Sequence, residues 1–273
     1  MSVGTLHIVA VPIGNPEDVT LRALRVLGEV AVVACEDTRT TAALLAKHGV
    51  RAKLVSYHDH NEVERAGELV ERLRAGEDVA LVSDAGTPLV NDPGFRLVQA
   101  AIAAGIAIDV VPGPSAAIAA LVGSGLAVDR FLYGGFLPRE AGPRRAALVE
   151  LGGVAATLVL YESPQRLGET LEEIASLWPE RPVCVARNLT KQHEQWLRGT
   201  AAEVRAVLGD ETRGEVVLLV GRGEVARASD AEIDARIDGL ADVPTKEAAD
   251  RVAAAFGLPR KEAYARVLTR RKR

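Results

Sequence analysis

Val79-Ala-Leu-Val-Ser83 runs into Asp84-Ala-Gly-Thr-Pro88 and Asn91-Asp-Pro-Gly94, then into a helical pattern over 95–104 and a second apolar run at 108–111. The first run is apolar at consecutive positions, as a strand reads when both faces of its sheet are covered. Strand, loop of small residues, helix and strand together form the repeating unit of an α/β protein with parallel strands. The same reading extends outward. Residues 6–11, 30–35, 157–161, 183–186 and 216–220 read as further strands, and 21–27, 41–48, 62–74, 166–177 and 202–208 as helices. The turn-rich stretch 123–129, with Gly134-Gly135 soon after, predicts a boundary. The expected organisation is an α/β domain over 1–127, a second over 128–226 and a helical tail over 229–273, with mostly parallel sheets.

The tail differs from the body. Ser229-Asp-Ala-Glu232 has the spacing of a capping box, Thr245 can cap the next helix, and Gly257-Leu-Pro259 stops one helix and starts another. This predicts a helix-turn-helix-like element. From Asp242 to Arg273 nine Lys or Arg stand against four Asp or Glu, so the rest of the chain carries −9 of the net −4. A basic appendage on an acidic body points to a polyanionic partner. The alternative is a solvated C-terminus.

Composition narrows the classes. At 273 residues, 48% hydrophobic and 26% charged, the chain is ordinary globular protein, long enough for two modest domains and an appendage. Cys35 and Cys184 both sit in apolar runs, which predicts buried free thiols and neither a disulfide framework nor a cysteine metal site. No segment reads as a signal peptide or reaches the roughly 20 apolar residues of a membrane span, so a cytoplasmic protein is expected. There is no G-x-x-x-x-G-K-[ST] phosphate loop and no strand followed by G-x-G-x-x-G, so a ligand must be held by other loops.

The informative loops follow the carboxyl ends of strands, where open α/β sheets bind ligands. Val11-Pro-Ile-Gly-Asn-Pro16 is a rigid turn that lets backbone approach a ligand closely. Glu36-Asp-Thr-Arg39 is either a hydrogen-bonding site or a helix cap, through Asp37 or Thr38, with a surface ion pair. Ser56-Tyr-His-Asp-His-Asn-Glu62 carries two histidines, but a local cluster without a distant third ligand rarely holds a metal, and none is expected. Asp84 can accept from an ammonium or a ribose hydroxyl while nearby amides receive a carboxylate. Asn91-Asp-Pro-Gly94 is expected to cap the following helix. Gly113-Pro-Ser-Ala-Ala117 lacks the last glycine of a nucleophile elbow and better suits a serine and amides at a helix start serving a cofactor. Lys191 and Glu194 at i and i+3 are either an acid/base pair or a helical salt bridge.

The order and spacing of P-I-G-N, E-D-T-R, H-x-H-N-E, S-D-A-G-T-P, D-P-G, P-G-P-S-A, G-F-L-P, Y-E-x-x-x-R and L-T-K-x-x-E resemble the small-subunit ribosomal RNA 2′-O-methyltransferase I family. That family is a branch of the tetrapyrrole-methylase (class III) methyltransferases, and the likeness runs from about Leu6 to Val220. The resemblance implies two α/β domains with S-adenosylmethionine in the cleft between them, a homodimer, and methyl transfer to a cytidine ribose of 16S rRNA within the 30S subunit. It implies cofactor contacts from Pro12, Ile13, Ser83, Asp84, Ala85, Gly86, Thr87, Ser115, Ala116, Tyr161, Asn188 and Leu189. Lys191, Asp37 and Glu194 are the candidates for base or hydroxyl orienter, and Arg39, His58, Asn61 and Arg166 for RNA contacts. Asn188 stands where the family usually has Glu, and Gln165 where His is frequent. Competing readings are a methyltransferase acting on a tetrapyrrole precursor and a non-catalytic RNA-binding factor.

Overall fold

The structure, a computed structural model, describes residues 3–209, 213–223, 230–256 and 258–271. The chain divides into two compact units, Met1–Gly223 and Glu224–Arg273. The first unit opens with β1 (Thr5–Val9), α1 (Leu21–Glu29), β2 (Val32–Cys35), α2 (Thr38–Lys47), β3 (Leu54–Ser56), α3 (Glu62–Arg74), β4 (Val79–Val82), α4 (Phe95–Ala103), β5 (Ala107–Val111) and α5 (Ala116–Gly123). Its five strands pair in the order β3-β2-β4-β1-β5, all parallel.

The consecutive apolar runs still obey a period of two. In β2, Val32 and Ala34 pack towards α3 and α4 with Leu69, Leu73 and Leu97, while Val33 and Cys35 pack on the other face with Val26 and Leu27 of α1. In β4, Val79 and Leu81 divide from Ala80 and Val82 in the same way. Each face gains its own hydrophobic layer, which is why neither position type is polar.

A second sheet follows, from β6 (Phe131–Phe136), α6 (Ala141–Gly152), β7 (Thr157–Glu162), α7 (Pro164–Leu177), β8 (Pro182–Arg187), β9 (Gln195–Thr200), α8 (Ala201–Val207) and β10 (Val216–Val220). Its order is β6-β7-β10-β8-β9. Only β6 and β7 run parallel; β10 is antiparallel to both β7 and β8, and β8 to β9. The expectation of mostly parallel sheets therefore holds for the first sheet and not the second. A short turn returns β8 directly as β9, and a two-strand reversal leaves no crossover helix to make it parallel.

One face of this sheet packs on α6, α7 and α8 through Leu158, Leu160, Val183, Val185 and Leu218. The other face, with Val159, Cys184, Ala186, Val217 and Leu219, packs on Ala117, Ala120 and Leu121 of α5 and on Ile13 of the loop after β1. That shared layer joins the two halves of the unit. Cys35 and Cys184 are buried free thiols, and burial raises both above the ordinary thiol value.

The second unit contains α9 (Asp230–Asp238), α10 (Thr245–Phe256) and α11 (Arg260–Arg271) around Ile233, Ile237, Leu240, Val252 and Val267. Ser229, the expected start of the capping box, and Gly257 lie outside the described residues. The basic surplus of this tail is partly neutralised within the unit. Arg266 bridges Asp230 and Asp234, and Arg270 bridges Asp234 and Asp238.

Candidate active site

The loop after β1 is held at both ends. Val11 and Gly86 exchange backbone hydrogen bonds of 2.9 and 3.0 Å, which ties it to the loop after β4. Gly14 lies so close to the turn after β8 that a Cβ would sit 2.6 Å from Cγ of Lys191 and 2.8 Å from Oγ1 of Thr190. Asn15 N–H donates to that same Thr190 hydroxyl at 2.9 Å. Asn188 and Thr190 both have φ in the left-handed region, at 52° and 63°. For a β-branched threonine this is an outlier whose strain the surrounding contacts must hold.

Between these loops lies a cavity of about 610 Å³, within the range of small-molecule sites. From the first half it is lined by Ile13, Ala85, Gly86, Thr87, Ser115 and Ala116, and from the second by Tyr161 and Leu189. These eight of the expected cofactor residues are brought together. The other four take different places. Pro12 is buried in the turn behind Ile13. The Ser83 hydroxyl is also buried and donates to the Ala85 carbonyl at 3.0 Å, and Asp84 accepts from Asp37 N–H at 2.9 Å, so both shape the loop. Asn188 accepts from Glu215 N–H at 3.2 Å and its amide donates to the His193 carbonyl at 3.4 Å. It faces a second pocket beside Arg187 and Glu194. An amide supplies both a donor and an acceptor there, where a carboxylate supplies only acceptors. Gln165, the other departure from the family pattern, lines the main cavity.

Aromatic side chains form the wall contributed by the second sheet. Tyr161 meets Tyr133 and Phe136 edge to face, with centroids 5.2 and 5.5 Å apart. The Tyr133 hydroxyl donates to Oδ1 of Asn91 across the cleft. Burial raises both tyrosine hydroxyls above their ordinary value, Tyr133 the more.

The three candidates for base or orienter have defined partners. Asp37 is the N-cap of α2: it accepts from Arg39 N–H at 2.8 Å and from the Arg39 guanidinium, which holds its carboxyl down at about 2. Lys191 and Glu194 lie in a turn, not in a helix, and do not pair with each other. Lys191 Nζ sits 2.8 Å from Glu215, while Glu194 accepts from Thr190 N–H at 2.6 Å and from the Trp196 indole at 2.8 Å. Those two donors lower the Glu194 carboxyl below its usual value.

Among the residues expected to touch RNA, Arg39 projects into solvent on its Asp37 partner. Asn61 accepts from His58 N–H at 2.9 Å and so orders the loop after β3. Arg166 is otherwise engaged. Its guanidinium binds buried Glu162 at 2.7 Å, the Ser163 hydroxyl and the Leu137 carbonyl. The Y-E-x-x-x-R spacing carries that pairing, although Glu162 closes a strand and Arg166 lies on the next helix.

Several cavity residues went unread in the sequence, among them Arg213, Glu215 and Asp92. Asn91-Asp-Pro-Gly94 was expected to cap α4, but the N-cap is Gly94 itself, with no side-chain hydrogen bond. Asp92 instead lines the cavity. Burial, then the charges of Glu36, Asp84 and Asp59, pushes its carboxyl up to about 6, opposed in part by the neighbouring Ser83 hydroxyl.

The comparisons agree with this architecture. Residues 5–205 match the family described as Tetrapyrrole (Corrin/Porphyrin) Methylases, and residues 227–271 match the RsmI C-terminal HTH domain. The uroporphyrin-III C-methyltransferase of Thermus thermophilus, solved in complex with S-adenosyl homocysteine, is 26% identical, with a TM-score of 0.57, over 82% of this chain and 99% of that one. The chain belongs to the tetrapyrrole methylase family of methyltransferases. Within that family it is a member of the ribosomal RNA small subunit methyltransferase I group. The relative so named from Micromonospora olivasterospora is 49% identical, over 86% of this chain and 76% of the relative. The one from Escherichia coli O157:H7 is 46% identical, over 96% and 94%.

Proposed function

We propose that the protein transfers a methyl group from S-adenosylmethionine to the ribose 2′-hydroxyl of a cytidine in 16S rRNA of the small ribosomal subunit. The observation that carries the reading is the convergence of Ala85-Gly-Thr87 and Ser115-Ala116 with Tyr161 and Leu189 around one cavity, in a chain whose relatives are named for ribosomal RNA methylation. The cavity suits that cofactor. Its lining includes the small residues Ala85, Gly86, Ala116 and Gly214, and a Cβ on Gly86 would come within 3.3 Å of the Ile13 side chain. When bound, the cofactor supplies an electrophilic methyl group. The protein has to align a ribose hydroxyl with it and exclude water, and positioning of this kind contributes several kcal/mol.

Lys191 fits a substrate-binding role, because its side chain is partly exposed and its partner Glu215 lines the cavity. The partners of Asp37 and Glu194 suit them to holding the two loops in place. Lys191→Ala is expected to lower kcat/KM for 30S subunits about tenfold and to flatten its dependence on salt, as loss of one phosphate contact does. An unchanged salt dependence would count against that role.

A homodimer fits the exposed apolar side chains of Ile118 and Val122, four residues apart on one face of α5, and of Phe131 on edge strand β6. Among the described residues no helix is long and apolar enough to cross a membrane. A cytoplasmic location is proposed, with the ribosomal substrate. The substrate class is tested by offering labelled S-adenosylmethionine with either undermodified 30S subunits or a reduced tetrapyrrole acceptor. Label in 16S rRNA is expected; label on the tetrapyrrole alone would overturn the proposal.

A further inference from the structure

We propose that Asp92 is the base that takes the proton from the ribose 2′-hydroxyl. The inference rests on the reading of the protein as a ribose methyltransferase and adds the residue that performs its proton transfer.

The geometry favours Asp92 over the other acidic groups. Asp37 and Glu194 spend their oxygens on Arg39, Thr190 and Trp196, cavity-lining Glu215 is paired with the Lys191 ammonium, and Glu162 is closed off by Arg166, Ser163 and Thr170. Asp92 lines the cavity itself, as Tyr161 does. The turn that carries it is fixed on both sides. Asn91 before it has a left-handed φ of 69° and is gripped by the Tyr133 hydroxyl from the opposite sheet. After it, Pro93 sets the chain direction and Gly94 takes a φ of 137°, with Leu81 packed where a side chain would be. These contacts hold the turn, and so Asp92, in one place in the cavity wall.

The groups that face Asp92 come from every neighbouring strand. Glu36 follows β2, Asp59 follows β3, Ser83 and Asp84 follow β4, and Tyr133 and Tyr161 come from β6 and β7. Burial and the three carboxylates raise Asp92 to about 6, while Glu36 is itself raised by burial and by Asp84. A base with that value is ionised at neutral pH, yet holds a proton far better than one at about 2. In the step, the ribose oxygen forms its bond to the methyl carbon as the carbon–sulfur bond breaks with its electron pair left on sulfur. The hydroxyl proton passes to Asp92 and then to water.

Asp92→Asn keeps the shape and removes the base. The experiment compares single-turnover methylation of undermodified 30S subunits from pH 5 to 9, and cofactor Kd by calorimetry, for wild type and variant. Wild type is expected to gain rate up to a midpoint near 6. The variant should lose that limb and about 100-fold or more in rate at pH 7.5, with cofactor Kd within about threefold. A variant within about threefold of wild type, or one restored by saturating cofactor, would overturn the proposal. A wild-type protein that leaves 30S rRNA unlabelled would instead remove the reading beneath it.

A second readout needs neither cofactor nor RNA. The raised value means the folded state binds this proton more tightly than the unfolded chain, so stability falls as pH rises from about 4 to about 6. Asp92→Asn should therefore melt higher than wild type at pH 7.5 and not at pH 4. Equal melting at both would contradict the burial the proposal depends on.

Discussion

Gly86→Val is expected to abolish useful cofactor binding, raising Kd by about 100-fold or more, or about 2.7 kcal/mol, in calorimetry. Three features of the position combine. Gly86 has a φ of +76°, a conformation that costs an L residue roughly 1–2 kcal/mol and a β-branched one more. Its N–H and carbonyl are both bonded to Val11, so the backbone cannot relax without releasing the loop after β1. Its missing side chain leaves the space between Ile13 and Pro114 that the cavity uses. Gly105→Ala is the control: its φ is also positive, at +71°, but nothing lies within 4 Å of the added Cβ. That variant should lose about 1 kcal/mol of stability and keep its cofactor affinity. If Gly86→Val retained Kd within about threefold, the cavity described here would not be the cofactor site.

Glu162→Ala is expected to cost about 3–5 kcal/mol in urea unfolding, the range for breaking a buried ion pair from one side. The Glu162 side chain is inaccessible to solvent and lies 2.7 Å from Arg166. It also accepts from Ser163 N–H at 2.7 Å and from the buried Thr170 hydroxyl at 2.8 Å. Removal orphans three donors at once, one of them charged. Arg166→Ala should destabilise by less, since the carboxylate keeps two neutral donors. The double variant should cost less than the sum, because one interaction is counted twice. Arg166→Ala should also leave the salt dependence of 30S binding unchanged. A loss below about 1 kcal/mol for Glu162→Ala, or a changed salt slope for Arg166→Ala, would return Arg166 to the RNA-facing residues.

The sequence was informative where burial was two-sided. Val32–Cys35, Val79–Val82 and Val216–Val220 have no polar position because helices or loops cover both faces, and all are legible as strands. It was silent at edges. β3 has three residues, and β9, reading Gln-Trp-Leu-Arg-Gly-Thr, is a half-exposed edge strand with no apolar run. Missing β9 is also why Lys191 and Glu194 looked like neighbours on a helix. The α6 pattern was hidden by Gly142 and Pro143 in its first turn.

The site was legible as a set of loops but not as a set of roles. The family resemblance gathered Ile13, Ala85, Gly86, Thr87, Ser115, Ala116, Tyr161 and Leu189 in advance, and the structure brings them around one cavity. Side-chain commitments could not be read in the same way. Whether Arg166 faces RNA or Glu162, and whether Asp92 caps α4 or lines the cavity, depends on backbone angles that the residue names leave open. Asn91 at φ 69° and Gly94 as the actual cap decide the second of these.

The most direct measurement is the chemical form of the transferred methyl group. Undermodified 30S subunits are incubated with the protein and S-adenosylmethionine, and the 16S rRNA is digested to nucleosides for mass spectrometry. One 2′-O-methylcytidine per subunit is expected, flanked by a phosphodiester that resists alkali. A methyl group on a base, or on the ribose of a different nucleotide, would contradict it.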